Sequence, residues 1–273
     1  MLKCCRGSAR RTIAVAGVLC TACSRPSPVS SPVAGPTPSR QTAAVTDGES
    51  VVRAMFERYQ DKWYHTLTFR QTTTMTRGTG MPSTQTWYEA LSMPGRLRID
   101  FGNLDAGNGL LFRNDSIYNF AAGKITSADT GFNPLLVLGF DVYAQPPEQT
   151  ISILRHLGYQ MSRMHTANLD GKSAYVVGAS TTLDSTSKQF WIERDRLLFI
   201  RSREKNAAGQ QSEIRFTDYV PSGNGWVARQ VWQTIGGSPR LHEEYADIKS
   251  EVRLDSALFD PKQWGTVKHW TKP

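Results

Sequence analysis

Apolar residues recur along this chain at two different spacings, and the change of spacing divides it. Val52, Met55, Phe56, Tyr59 and Trp63 fall at helical intervals just after Thr46-Asp47-Gly48-Glu49, a run with the character of a capping box. The pattern predicts one amphipathic helix over about 48–63, its stripe packed on a sheet. From Tyr64 the period drops to two. Leu67 and Phe69 alternate with Thr and Arg, and Thr72-Thr73-Thr74 is strand-prone. Strands are expected at 83–93, 96–101, 109–113 and 116–121, with a short one near 124–127. A second series is expected at 160–167, 173–179, 188–193, 197–204, 211–219, 226–235 and 240–249. Turn sequences such as Met93-Pro94-Gly95, Asn114-Asp115, Leu169-Asp170-Gly171 and Ser222-Gly223-Asn224-Gly225 separate them. Short strands joined by tight turns predict an antiparallel meander and argue against a parallel, helix-crossed sheet.

Residues 132–158 break the alternation. Leu135, Leu136, Val137, Leu138, Phe140 and Val142 form a nearly continuous apolar run; Pro146-Pro147-Glu148 then opens a second helix with Ile151, Leu154 and Leu157 on one face and Gly158 as its stop. So apolar an insertion needs cover, and the economical solution lays it across the concave face of a curved sheet. Large apolar residues also crowd single strand faces: Leu97, Ile99 and Phe101; Phe190 and Ile192; Leu197 and Phe199; Ile214 and Phe216. Two readings of that excess stand at this point, a filled core or a sheet enclosing a lipid-sized cavity.

Charge and cysteine usage describe the leader more than the body. The chain carries +8, but Lys3, Arg6, Arg10 and Arg11 precede a short apolar run, and +4 remains once they are set aside. No basic stripe follows, which argues against nucleic acid as a partner. All four cysteines, Cys4, Cys5, Cys20 and Cys23, lie in the first 23 residues, so the body can hold neither a cysteine zinc site nor a disulfide framework. Basic stretch, apolar run from Thr12 to Ala22, small residues and then Cys23 are similar to a lipoprotein signal, with Cys20 where leucine is usual. The alternative is a cleaved export signal without lipid. The run is too short to span a bilayer. Residues 23–46 read as a Pro/Ser-rich tether, with five prolines from Pro26 to Pro38.

Catalytic constellations are not apparent. The histidines His65, His156, His165, His242 and His269 lack zincin spacing, and His242 with Glu244 reads as a polar strand face. Ser180, in Gly178-Ala179-Ser180, lacks the closing glycine of a nucleophile elbow, the Gly102–Gly109 stretch lacks a phosphate-loop lysine, and Glu193 with Asp195 reads as an exposed turn. A non-enzyme without metal or other cofactor is expected, and an unrecognised hydrolase is the weakest reading.

The order of features resembles the Lol lipoprotein-carrier superfamily, LolA- and LolB-like proteins and related lipid-binding lipoproteins. Leu67-Thr68-Phe69-Arg70-Gln71 is similar to that family's first strand, and Met93-Pro94-Gly95-Arg96-Leu97-Arg98-Ile99 to its proline-centred strand start. Asp115-Ser116-Ile117-Tyr118 resembles a hairpin of the family with Ser116 for its glycine. Asn133-Pro134-Leu135-Leu136 resembles the start of its lid, Lys188-Gln189-Phe190-Trp191-Ile192 its late hairpin, and Phe259-Asp260-Pro261 its closing turn. The resemblance covers about residues 48–265. One departure is Met93, which stands where the soluble carrier has an arginine that helps to hold its lid closed.

The resemblance implies a mainly β (α+β) fold: a curved antiparallel sheet forming an unclosed β-barrel, with an N-terminal helix and a helical lid. Implied domains are a lipoprotein signal at 1–22, the tether at 23–46, a half-barrel domain at 47–265 and a tail at 266–273. The implied function is a monomeric envelope lipoprotein, anchored through acylated Cys23 and facing the periplasm from the outer membrane. It would bind acyl chains of a lipid or acylated lipoprotein without covalent chemistry. The cavity would be lined by Leu67, Phe69, Leu97, Ile99, Phe101, Phe190, Ile192, Leu197, Phe199, Ile214 and Phe216, and the lid would present Leu135, Leu138, Phe140, Ile151 and Leu154. The alternative is a binding or sensor module with a filled core, making its contacts through exposed aromatics such as Trp226, Trp232 or Trp264.

Overall fold

The first helix is fastened at its start by two reciprocal bonds. In the computed structural model, which describes residues 44–78 and 80–272, Asp47 caps α1 (Gly48–Tyr59): Asp47 Oδ1 accepts the Ser50 N–H at 2.8 Å and Ser50 Oγ accepts the Asp47 N–H at 2.9 Å. The capping box is therefore one residue later than the sequence reading placed it. The helix also ends earlier, because Gln60 leaves helical geometry and Asp61 turns left-handed at φ 60°. Trp63 is buried all the same, held by the chain beyond the helix. The signal at 1–22, Cys23 and nearly all of the tether lie outside the described residues.

Thirteen strands form one antiparallel sheet. The first series is β1 (Thr66–Met75), β2 (Ser83–Ser92), β3 (Arg96–Phe101), β4 (Gly109–Arg113), β5 (Ser116–Ala121) and β6 (Lys124–Thr130). The second is β7 (Met164–Leu169), β8 (Lys172–Val177), β9 (Gln189–Glu193), β10 (Leu198–Lys205), β11 (Gln211–Ser222), β12 (Gly225–Ile235) and β13 (Ser238–Ser250). Each series is a meander, and β1 joins them by pairing with β13, so the order runs β6-β5-β4-β3-β2-β1-β13-β12-β11-β10-β9-β8-β7. The last strand thus lies beside the first, at the middle of the sheet, and β6 and β7 are its free edges.

The chain between those edges is helical: α2 (Pro134–Gly139), a 3-10 turn (Asp141–Tyr143) and α3 (Pro147–His156). Asn133 caps α2, its Oδ1 accepting the Leu135 N–H at 2.9 Å. Pro147 starts α3, and Gly158, at φ 87°, takes the left-handed conformation that stops it.

Curvature follows from which residues share a core. Strands β3 and β9 stand seven places apart, about 34 Å in a flat sheet. Yet Leu97 and Ile99 of β3 and Phe190 and Ile192 of β9 belong to one apolar cluster with the helices. The sheet must wrap around α1, α2 and α3 to bring them there, and it does not close, because β6 and β7 do not pair. The opposite, convex face carries two smaller clusters, one of them built on Ala90, Leu111 and Phe120 and covered by Leu258, Phe259 and Trp264. Residues 266–272, read as a tail, fold back on this same face, where His269 bonds Asp100.

Candidate functional site: the helix-covered inner face

Strand alternation places Leu67 and Phe69 on the inner face of β1, Leu97, Ile99 and Phe101 on β3, and Phe190 and Ile192 on β9. Phe199, Phe216 and half-buried Ile214 complete that face. Leu197 reaches it differently: it stands before β10 in a left-handed turn, φ 54°, and strict alternation through the strand is broken by a bulge between Phe199 and Arg201. All eleven residues meet in the same cluster as Leu138, Phe140, Ile151 and Leu154, with Leu135 half-buried at its margin.

The helices rest directly on the sheet. A Cβ on Gly139 would stand 3.0 Å from the Phe216 ring, so α2 lies on β11 as closely as its backbone allows. At the other end of α1, a Cβ on Gly48 would clash with Val177 at 2.4 Å. Trp63 stacks on Tyr143 at 3.9 Å between ring centroids, and Tyr59 meets both edge-on. Helices α1 and α3 are joined at their surface by two crossed ion pairs, Arg53 with Glu148 and Arg155 with Glu49.

Few polar bonds tie residues 132–158 to the strands. The Tyr143 hydroxyl donates to Leu197 O at 3.1 Å and accepts the Phe199 N–H at 3.3 Å. Across the sheet, the Gly95 N–H donates to Asp141 Oδ1 at 3.0 Å. That second bond reaches the turn that follows Met93, so a carboxylate from the helical segment fastens this strand connection. Burial pushes the Asp141 carboxyl up to about 7, opposed by the Gly95 bond. Among the described residues, no backbone-to-backbone hydrogen bond joins 132–158 to a strand.

The inner face is filled in this state. Leu67, Leu138, Leu154, Phe190, Ile192 and Phe199 are all 0 % exposed, which leaves no water-sized void against them. A small cavity of about 80 Å³ lies beside Asp141, between the helical segment and the Pro94–Gly95 turn. It is well below the roughly 300–1,000 Å³ of ordinary ligand pockets.

Polar groups that the sequence reading passed over also sit on this face. Glu89 is buried between Phe69 on one neighbouring strand and Ile99 on the other. Burial and the nearby Glu243 carboxylate raise its pKa well above the ordinary range; burial pushes Glu243 up to about 7. Tyr245, stacked on Phe69 at 4.2 Å, donates to Glu243 at 3.0 Å. The alternation Trp87-Tyr88-Glu89-Ala90-Leu91 already put Glu89 on the apolar face, so the signal was present.

Other expectations need correction. Glu193 is not an exposed turn carboxylate; it is 4 % exposed and paired with Arg196 at 2.6 Å. Trp264 is buried, stacked on Phe120 at 4.0 Å with Arg98 over its other side at 3.8 Å, so of these three Trp232 and part of Trp226 remain open to a partner. His242 stacks on Trp232 at 3.5 Å, and the described residues contain no group of His, Cys, Asp and Glu able to hold a metal ion. No described helix is long and apolar enough to cross a membrane.

No family model matches the sequence, and no curated protein matches it either. Solved structures do match in fold. An outer membrane lipoprotein-sorting protein domain from Vibrio parahaemolyticus aligns at TM-score 0.57 and 10 % identity, over 80 % of this chain and 98 % of that one. A LolA superfamily protein from Nitrosomonas europaea aligns at TM-score 0.51 and 10 % identity, over 79 % and 98 %. A DUF1329 family protein from Desulfovibrio piger aligns at TM-score 0.51 and 14 % identity, over 78 % and 95 %.

Proposed function

This chain has the fold of the LolA superfamily, and on that premise we propose that it is an envelope lipoprotein that binds acyl chains under a movable helical lid. The observation that carries the reading is the nature of the cover. The inner face of the sheet is closed by one excursion of chain, residues 132–158, together with α1, and among the described residues no backbone-to-backbone hydrogen bond joins this cover to a strand. Lifting it breaks no strand pair. It exposes a largely apolar surface, interrupted at Glu89 and Glu243, that a lipid can take over, at roughly 0.8 kcal/mol for each methylene buried. Transfer of this kind requires no covalent step. Cys23 is the proposed anchor and residues 24–46 the tether, which would hold the domain off the membrane, the outer one by analogy with the sorting protein it resembles.

The test is native mass spectrometry of the purified protein, followed by solvent extraction. A co-purifying mass that extracts as an acylated molecule is expected, and substitution Leu138→Asp should abolish it. Protein that purifies clean and fails to take up added lipids overturns the reading.

A second reading has its own observation. The inner face is already filled in the closed state, so the same fold can serve as a binding or sensor module that never opens. In that case Leu138→Asp destabilises folding, and the lid amides exchange no faster than the sheet around them.

A further inference from the structure

A second cavity, far larger than the one beside Asp141, opens on the convex face. It is a cleft of about 770 Å³ whose floor is β1, β2 and β13, with Thr68, Arg70, Tyr88 and Lys249 facing into it. Residues 252–258 and 268–272 form its walls. Strand alternation puts Thr68 on the side opposite Leu67 and Phe69, so this cleft has no part in the helix-covered face.

The walls are anchored. Arg98 makes paired bonds of 2.8 Å to both oxygens of Asp100, and His269 Nε2 lies 3.1 Å from Asp100 Oδ2. All three residues are buried, and although burial alone would raise the Asp100 carboxyl, the bonds from His269 and Arg98 hold it below its usual value. Arg98 also donates to Trp264 O at 3.3 Å. The C-terminal wall is thus pinned to β3 by a satisfied polar network.

The lining has an unbalanced charge. Five basic side chains stand against two carboxylates. Arg70 is taken by Asp247 at 2.9 Å, and Lys272 by Asp105 at 3.0 Å. Lys249, Arg253 and Lys268 have no carboxylate partner among the described residues. Two lining residues also carry buried donors without partners, Thr68 Oγ1 and Trp270 Nε1; Thr68 is 1 % exposed.

We propose that this cleft binds a phosphate-bearing small molecule. Its oxyanion would be held by Lys249, Arg253 and Lys268, and its remaining body would lie against Trp270 and Tyr88. Three unpaired cations exceed what one carboxylate neutralises and suit a phosphate dianion. The ligand is either a soluble phosphate ester or a phospholipid headgroup, which present the same oxyanion. The proposal does not rest on the acyl-chain reading, since the two sites lie on opposite faces of the sheet.

The test follows the indole N–H signals of the ¹⁵N-labelled full chain, with the Trp270 signal assigned through Trp270→Phe. The probes are inorganic phosphate, glycerol 3-phosphate and dihexanoylphosphatidic acid, each compared with sodium chloride at matched ionic strength. A saturable shift of the Trp270 signal is expected, with half-saturation raised about tenfold or more in Lys249→Ala/Lys268→Ala. Unmoved signals from the other tryptophans in that variant report that it is folded. A response to glycerol 3-phosphate supports a soluble ester, and a response to the lipid alone supports a headgroup. An equal shift with sodium chloride, no shift at millimolar probe, or a shift that survives the double substitution overturns the proposal.

Discussion

Asp141 sits in an apolar run with one hydrogen bond to its carboxyl, and burial pushes its folded pKa up to about 7, well above the ordinary carboxylate value of 3.8. The unfolded chain therefore releases this proton first as pH rises from about 4. Stability falls through that window by on the order of 1 kcal/mol per pH unit and levels off above 7. Glu89 and Glu243 are shifted in the same direction and add to the trend. Urea denaturation should show a more stable protein at pH 5.5 than at pH 8. Asp141→Asn keeps the acceptor for the Gly95 N–H, and the adjoining void leaves room for water on its amide. It should stabilise the protein at pH 8 and flatten the pH dependence, and a variant that is less stable at pH 8 would contradict this account. Asp141 was not legible as a latch, because nothing local says that a carboxylate between Phe140 and Val142 will meet a turn 46 residues away.

The helices were legible as elements and not as a mechanical unit. Periodicity marked α1 and α3, Pro147 and Gly158 the ends of α3, and the resemblance of Asn133 with Pro134 the start of the lid, while the end of α1 was read at Trp63 instead of Tyr59. The crossed ion pairs between α1 and α3, and the stacking of Trp63 on Tyr143, depend on which surfaces the sheet brings together. At this scale the fastening of the helical segment to residues 197–199 is the Tyr143 hydroxyl. Tyr143→Phe leaves Leu197 O and the Phe199 N–H without that partner and should cost about 1–3 kcal/mol. Hydrogen exchange should quicken more across 132–158 than in β1 or β13, and uniform quickening would show that the segment is not a separable lid. Glu148→Ala, at the exposed ion pair, should leave exchange and stability nearly unchanged.

For the whole molecule, the pairing of β1 with β13 is decisive. It makes one sheet of two meanders and leaves the ends of that sheet to be bridged by helices. Gln71, in the middle of β1, is opposite Trp87 on one side and Tyr245 on the other. Gln71→Pro removes a ladder N–H and fixes φ in a strand paired on both sides, and should yield no soluble folded protein. Thr126→Pro falls in edge strand β6, at the bulge between Asn119 and Phe120, and should keep a native circular dichroism spectrum with a melting temperature within a few degrees. Equal tolerance of the two prolines would mean that the central pairing is not what holds the halves together.

What the amino-acid sequence determined by itself was local: the period-two runs, the turn residues between them, the capped helices and the apolar identity of the inner face. Those properties depend on residues within a few positions of one another, where backbone geometry and side-chain pattern act directly. Tertiary structure decided the rest. The closure of β13 on β1, the burial of Trp264 and Glu193 and the filling of the inner face all depend on surfaces brought together from distant parts of the chain. So does the convex cleft, whose floor and walls come from residues 68 and 272 alike. No local pattern carries such contacts, because they arise only once the sheet has curved.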